Sequence, residues 1–304
     1  MQQSKTILFF GNERLATSVT TRLPVLNQLV LNGYYIAAII LAGKSGRSDN
    51  SEVVNFAGQH QIPVHYLTDI SLEKLADYKA SVAILASFGS IVSQAVIDLF
   101  PQGIINIHPS LLPKHRGPIP IEAAILDNDR RTGVSIMRLS ASMDSGPLYD
   151  QKSLALTGNE TKQDLADQLD QTGAELLIRN LPGIITGQLT PQPQPLTGSS
   201  YDRRLTSQTG RLDFRQTAEV LERQIRAYAG WPKSRLDIQH LQLIVTAAHV
   251  ESKQATDPGQ ISINKQQLWI DTAQDALSID RLIPAGSKEM SSAEFIRGYG
   301  KILS

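Results

Sequence analysis

The chain has no cysteine among its 304 residues. Disulfides, thiolate catalysis and cysteine-ligated zinc or iron–sulfur centres are therefore excluded. It also lacks a charge excess, with 29 Lys and Arg against 29 Asp and Glu. That balance argues against a nucleic-acid coat protein or a polybasic membrane binder and leaves room for a local basic patch. No apolar run approaches the roughly 20 residues of a membrane span. The run Ile7-Leu8-Phe9-Phe10 is too short for a secretory signal. A cytoplasmic enzyme is the expectation. Internal repeats and low-complexity segments are missing, and so are several familiar motifs. Gly11-Asn12-Glu13-Arg14-Leu15-Ala16 is not a Gly-x-Gly-x-x-Gly phosphate cradle, and no Walker A sequence occurs. No Gly-x-Ser-x-Gly elbow supports a hydrolase triad of Ser110, His108 and Asp144. His108 and His115 lack a His-Glu-x-x-His context for a metal.

What is present is an ordinary globular composition, 41% hydrophobic and 19% charged, on a chain long enough for two cores. Residues 5–10, 34–41, 63–66, 81–86 and 103–107 read as short buried strands, and residues 15–31 and 53–60 as helices between them. Continuous apolar strands alternating with helices predict a doubly wound, mostly parallel α/β sheet covered on both faces. Ligands are then expected outside the carboxyl ends of the strands. Residues 132–139 and 148–156 read as further strands and 161–185 as a long helix. Residues 187–200, rich in Pro, Gln, Thr, Gly and Ser, read as a linker. An amphipathic helix is expected over 215–229, then short strands at 235–238, 241–245, 260–263, 267–270 and 277–282, which suggest a small β-barrel. The expected organisation is a Rossmann-like domain over residues 1–187, a linker over 188–205 and a barrel over 206–304.

The stretch most suggestive of chemistry is Asn106-Ile107-His108-Pro109-Ser110-Leu111-Leu112-Pro113-Lys114-His115-Arg116-Gly117. Asn106 and His108 are two apart, so on a strand they face the same way. Two polar side chains leaving an apolar strand together need hydrogen bonds or a function to offset their burial. Met143-Asp144-Ser145-Gly146 adds one carboxylate in a turn. From these residues alone a catalytic trio stands beside plainer roles: Asn106 as a cap, His108 as a satisfied histidine, Asp144 as a turn former.

The segment from Asn106 to Pro113 with Arg116-Gly117 resembles the signature of the 10-formyltetrahydrofolate-dependent formyltransferases. Thr132-Gly133-Val134-Ser135-Ile136-Met137 with Met143-Asp144-Ser145-Gly146 resembles that family's second block. Towards the C-terminus, Gly210-Arg211-Leu212-Asp213-Phe214, Trp231-Pro232 and Leu282-Ile283-Pro284-Ala285-Gly286-Ser287 are similar to the branch acting on methionyl-tRNA. The resemblance implies a barrel of the oligonucleotide-binding (OB) kind and a catalytic trio of Asn106, His108 and Asp144. It implies 10-formyltetrahydrofolate as co-substrate, initiator methionyl-tRNA as acceptor, a monomer and no metal. A folate site would involve Leu85, Ala86, Phe88, Gly89, Ser110, Leu111, Leu112, Leu139, Ser140 and Met143, with core packing an equal role for Phe88. Phosphates of the acceptor would meet Lys44, Arg47, Lys114, Arg116 and Arg204. The loop over residues 43–50 is shorter and less basic than is usual in that branch. That leaves an amino-sugar nucleotide as the alternative acceptor. Release of formate to water and a non-catalytic RNA-binding role are further alternatives.

Overall fold

A computed structural model describes residues 5–12, 19–20, 22–43, 51–253 and 257–303 of the chain. They form two compact units. The first comprises Met1–Ile121, Arg130–Leu156 and Gln163–Arg203, and the second Glu122–Asp129, Thr157–Lys162 and Arg204–Ser304.

The first unit is built on a seven-stranded sheet of order β3-β2-β1-β4-β5-β6-β7. Its strands are β1 (Thr6–Gly11), β2 (Tyr35–Leu41), β3 (Val64–Tyr66), β4 (Val82–Ala86), β5 (Ile104–His108), β6 (Arg131–Arg138) and β7 (Leu148–Ala155). β1 to β5 pair in parallel, whereas β6 and β7 are antiparallel. The central strands are apolar throughout: Leu8, Ile39, Ile40, Ile84, Ile104 and Ile105 are fully buried. A sheet covered on both faces requires that composition. The helices are α1 (Pro24–Leu31), α2 (Glu52–Gln59), α3 (Leu72–Asp77), α4 (Gln94–Ile97), α5 (Pro120–Leu126) and α6 (Lys162–Ile185). Side-chain caps start two of them: Ser51 accepts from the Val54 amide and Ser71 from the Lys74 amide.

One helix departs from the expectation over residues 15–31. Among the described residues it begins only at Pro24, after Leu23 in the left-handed region at φ 52°. Proline at the first helical position lacks only an amide that would have no partner there, so it starts a helix where apolar spacing alone extends it backwards. Residues 13–18 lie outside the described set.

The second unit carries a six-stranded antiparallel sheet of order β10-β11-β12-β9-β8, with β13 on β12. The strands are β8 (Ser234–Ile238), β9 (Leu241–Glu251), β10 (Ile261–Ile263), β11 (Leu268–Asp271), β12 (Ala276–Pro284) and β13 (Met290–Ser291). Irregular register between β12 and β9 near Arg281 bends this sheet into the expected OB-like barrel form. The helix α7 (Ala218–Ala227) is capped by Thr217, whose side chain accepts from the Val220 amide. It buries Leu221 and Ile225 with Leu236, Leu243, Leu277 and Ile279, each such side chain contributing about 1.5–3 kcal/mol of burial. α8 (Ser292–Leu303) adds Phe295 to the same core. Among the described residues no helix is long and apolar enough to cross a membrane.

Candidate active site

The strand order reverses between β2 and β4, which flank β1, so a crevice is expected outside the carboxyl ends of these strands. β5 lies beside β4, and Leu85 is the register partner of Asn106. On the other side Asn106 pairs with Met137 and His108 with Ser135 of β6. Asn106 and His108, at the carboxyl end of β5, are only 6% and 5% exposed, which makes their polar groups costly unless used.

His108 is fixed by a backbone group. Its Nε2 lies 2.9 Å from the carbonyl oxygen of His115. A carbonyl only accepts, so Nε2 carries a hydrogen, and a second proton on the ring resides on Nδ1. Nδ1 is 3.9 Å from Oδ1 of Asp144. The other carboxylate oxygen, Oδ2, accepts from the Gly117 amide at 2.8 Å. The carboxylate is thus anchored through one oxygen while the other faces the imidazole.

Asp144 and His115, whose carbonyl holds His108, both have unusual backbone. Asp144 has φ 45° and His115 φ 57°, left-handed conformations that cost non-glycine residues about 1–3 kcal/mol each. They persist because neighbouring groups determine them. The His115 amide donates to Ser200 Oγ at 2.8 Å, and its Nδ1 lies 3.3 Å from Asp202 Oδ1. Arg116 and Tyr201 form an isolated parallel bridge. Gln194 Nε2 donates to the carbonyls of Asp144 and Gly146, both at 2.8 Å. Gln194 Oε1 accepts from Arg116 Nε and Nη2 at 3.1 and 2.6 Å. Residues 188–203, expected as a linker, therefore run along the first unit and buttress the site.

The loop after β5 is held equally closely. Ser110 Oγ donates to the Lys114 carbonyl at 2.7 Å, and Ser135 Oγ donates to the Ser110 carbonyl at 2.6 Å. Gln151 Nε2 reaches the Leu112 carbonyl at 2.9 Å. Of the residues assigned to a folate site, Leu85, Ala86, Phe88 and Leu112 are buried, Gly89 and Met143 are exposed, and Leu111, Leu139 and Ser140 are half-buried. Phe88 meets Phe10 edge-on with ring centres 5.6 Å apart, which is the packing role. Its neighbour Ser87 is left-handed at φ 56°. Of the residues assigned to phosphate contacts, Arg116 and Lys114 lie in the loop after β5. Arg204 is exposed and opens the last segment of the second unit. Lys44 and Arg47 lie outside the described residues. The described residues contain no cluster of His, Asp and Glu that could hold a metal ion.

Reading the sequence missed Ser135, Gln151, Gln194, Ser200 and Asp202. A signal for Gln194 existed. Pro191, Pro193 and Pro195 alternate with Gln192 and Gln194, and in extended chain that spacing puts both glutamines on one side. Gln192 pairs with Leu148 through its backbone and keeps its side chain exposed, whereas Gln194 is buried.

Residues 41–181 match the formyl transferase family, and residues 204–300 match the formyl transferase C-terminal domain. The chain is 33% identical over 262 residues to a methionyl-tRNA formyltransferase of Halorhodospira halophila, covering 84% of each chain. With the methionyl-tRNA formyltransferase of Chloroflexus aggregans it shares 34% identity over 305 residues, 96% of each chain. The chain belongs to the methionyl-tRNA formyltransferase family. It is a formyltransferase, and Asn106–Gly117 and Thr132–Gly146 both lie within the residues that match the family. Among solved structures, an N-formyltransferase from Helicobacter canadensis in complex with folinic acid and dTDP-3-aminofucose superposes with a TM-score of 0.69. It shares 18% identity, with coverage of 94% of this chain and 99% of that one, a likeness of fold alone.

Proposed function

We propose that the protein transfers the formyl group of 10-formyltetrahydrofolate to the α-amino group of methionyl initiator tRNA in the cytoplasm. The observation that carries this reading is His108 Nδ1 facing Asp144 Oδ1 at 3.9 Å, with Asn106 two residues before His108 on the same strand. The relatives at 33% and 34% identity over most of their length support the acceptor.

In this reaction the amine attacks the formyl carbon and an oxyanion develops on the formyl oxygen. The Asn106 amide N–H and the protonated Nδ1 of His108 donate to that oxygen. Donors aimed where charge develops, in a site shielded from water, are worth several kcal/mol of barrier. Nε2 of His108 is occupied by the His115 carbonyl, so Nδ1 is the nitrogen left for the reacting group. Asp144 holds the imidazolium and takes the proton that the amine loses, which passes to the leaving nitrogen of the folate. The loop between β4 and α4, with Leu85 and Ala86 beside Asn106, and the loop after β6 with Leu139, Ser140 and Met143 would receive the pterin. The first unit then performs the chemistry, and the barrel unit binds the acceptor RNA.

The test is single-turnover formyl transfer from 10-formyltetrahydrofolate, with charged initiator tRNA, charged elongator tRNA and amino-sugar nucleotides as parallel acceptors. Transfer to the initiator alone is the expected result. Transfer only to a sugar nucleotide would leave the chemistry standing and overturn the acceptor.

A further inference from the structure

Arg116 is held by three hydrogen bonds, and among the described residues every polar partner of its side chain is neutral. Gln194 Oε1 accepts from Nε and Nη2, and Tyr201 Oη accepts from Nη1 at 2.7 Å. The Tyr201 ring lies 5.3 Å from the guanidinium carbon. Among the described residues no carboxylate forms an ion pair with it. A guanidinium has five N–H donors, so one remains on each terminal nitrogen. Two such donors from one planar fork match two oxygens of a phosphate, and an arginine already fixed loses little freedom on binding.

The surroundings provide space for an anion. A cavity of about 410 Å³ is lined by Arg116, Ser145, Pro147, Gln194, Leu196 and Ser199. Ser145 follows Asp144 in the chain, and Gln194 bonds both Arg116 and the Asp144 carbonyl. The cavity thus shares a wall with the turn that carries the candidate catalytic carboxylate. Among the described residues that lining has no acidic side chain to compete for the cation.

We propose that Arg116, fixed by Gln194 and Tyr201, is a preformed phosphate subsite that docks a phosphodiester of the tRNA acceptor end beside Asp144. The inference rests on the acceptor proposed above and adds the group that anchors it. Residues 193–201 are then part of the acceptor site, because they build the subsite around Arg116.

Two arms test this on the full chain. In the first, formyl transfer to methionyl initiator tRNA is measured across a potassium chloride series for the wild type, Arg116→Lys and Arg116→Gln. Loss of one phosphate contact lowers the slope of log kcat/KM against log salt by about one. Arg116→Gln is expected to fall about 10-fold at low salt, the size of one charge-assisted contact. Its deficit closes as salt rises, while Arg116→Lys keeps the wild-type slope. Parallel salt lines for wild type and Arg116→Gln would overturn the proposal, because a merely structural loss is indifferent to salt. In the second arm, inorganic pyrophosphate is titrated by calorimetry into wild type and Arg116→Gln. Binding by the wild type alone supports the subsite. Equal binding, or none by the wild type, overturns it. If pyrophosphate binds as expected but tRNA is inert as an acceptor, the tRNA phosphodiester is rejected as occupant along with the acceptor assignment.

Discussion

Gln194 Nε2 donates to the main-chain carbonyl of Asp144, and the same nitrogen donates to Gly146 two residues on. One buried amide therefore holds both ends of the turn that presents the carboxylate, at a residue whose φ is 45°. A shift of about 1 Å at a reacting group can cost on the order of 100-fold in rate. Gln194→Ala is expected to lower kcat by about that factor, with KM for the folate little changed. Gln194→Glu separates two explanations. Its carboxylate can still accept from Arg116 but cannot donate to the Asp144 and Gly146 carbonyls. With acceptor saturating, its kcat should be as low as that of the alanine variant, and in an Asp144→Ala background neither change should lower kcat further, because any loss through Arg116 falls on KM for the acceptor. Additive losses of kcat in that background would show that Gln194 does not act on the reaction through Asp144.

The trio itself gives a second expectation. Asn106→Ala, His108→Ala and Asp144→Ala should each lower single-turnover transfer by roughly 100- to 1000-fold, the range seen when one oxyanion donor is removed. Their unfolding midpoints should stay close to the wild type. His108→Asn is informative, because its shorter side chain cannot span from the His115 carbonyl to the position of Nδ1. Near wild-type turnover in any of the alanine variants would remove that residue from the mechanism.

The strands of the first unit were legible because each is a continuous apolar run, from Ile7 to Phe10 in β1 and Val82 to Ala86 in β4. Strand direction was not. Short apolar runs carry no sign of which way they point, and the antiparallel pairing of β6 with β5 follows from the path of residues 109–130, which no local pattern encodes. Asn106, His108 and Asp144 were recognisable as a group by motif and by their cost on an apolar strand. The supports were invisible because they are made by tertiary contacts. His108 is oriented by a carbonyl, and Asp144 by a glutamine 50 positions away. Composition marked residues 187–200 as a linker, and composition alone cannot tell a spacer from a proline-stiffened strap. Residues 122–129 and 157–162, read within the first domain, join the second unit through contacts that sequence order conceals.

A third prediction concerns acid. Burial raises the Asp150 carboxyl, but hydrogen bonds from Arg179 Nη2 at 2.6 Å, Asn180 Nδ2 at 2.8 Å and the Gln151 amide outweigh it, and the group stays below its ordinary value of 3.8. A carboxyl depressed in the folded state contributes stability that is complete above its unfolded value and is lost as pH falls through the folded one. Asp150 on β7 thereby clips α6 to the sheet. Arg179 is 62% exposed, so screening limits the contribution to about 1 kcal/mol or less. Urea midpoints of wild type and Asp150→Asn should differ at neutral pH, begin to converge below about pH 4, where the unfolded carboxyl protonates, and meet only once pH is below the folded value. A gap that persists undiminished at the lowest pH would assign the effect to packing.

The last prediction follows from a buried charge pair in the second unit. Lys162 Nζ lies 3.7 Å from Glu122 Oε1, each side chain is 1% exposed, and Nζ also donates to the Trp231 carbonyl at 3.2 Å. Burial lowers the Lys162 pKa, and Glu122 pulls it back towards the charged form. Removing one partner strands the other in a dry site, at a cost of about 3–5 kcal/mol, whereas replacing both with neutral groups of similar volume is often tolerated. Lys162→Met should therefore sharply lower the urea midpoint, and the double variant Glu122→Gln with Lys162→Met should recover most of it. The same segments are tied to α7, since Arg223 Nε donates to the Leu126 carbonyl at 3.2 Å and Arg226 Nη1 to the Glu160 carbonyl at 2.9 Å. A fragment spanning residues 206–304 lacks both carbonyls and the whole Glu122–Lys162 pair. It should unfold at lower urea than the barrel within the full chain and lose amide protection first along α7. Equal protection of α7 in fragment and full chain would show that residues 122–129 and 157–162 merely rest on the barrel without stabilising it.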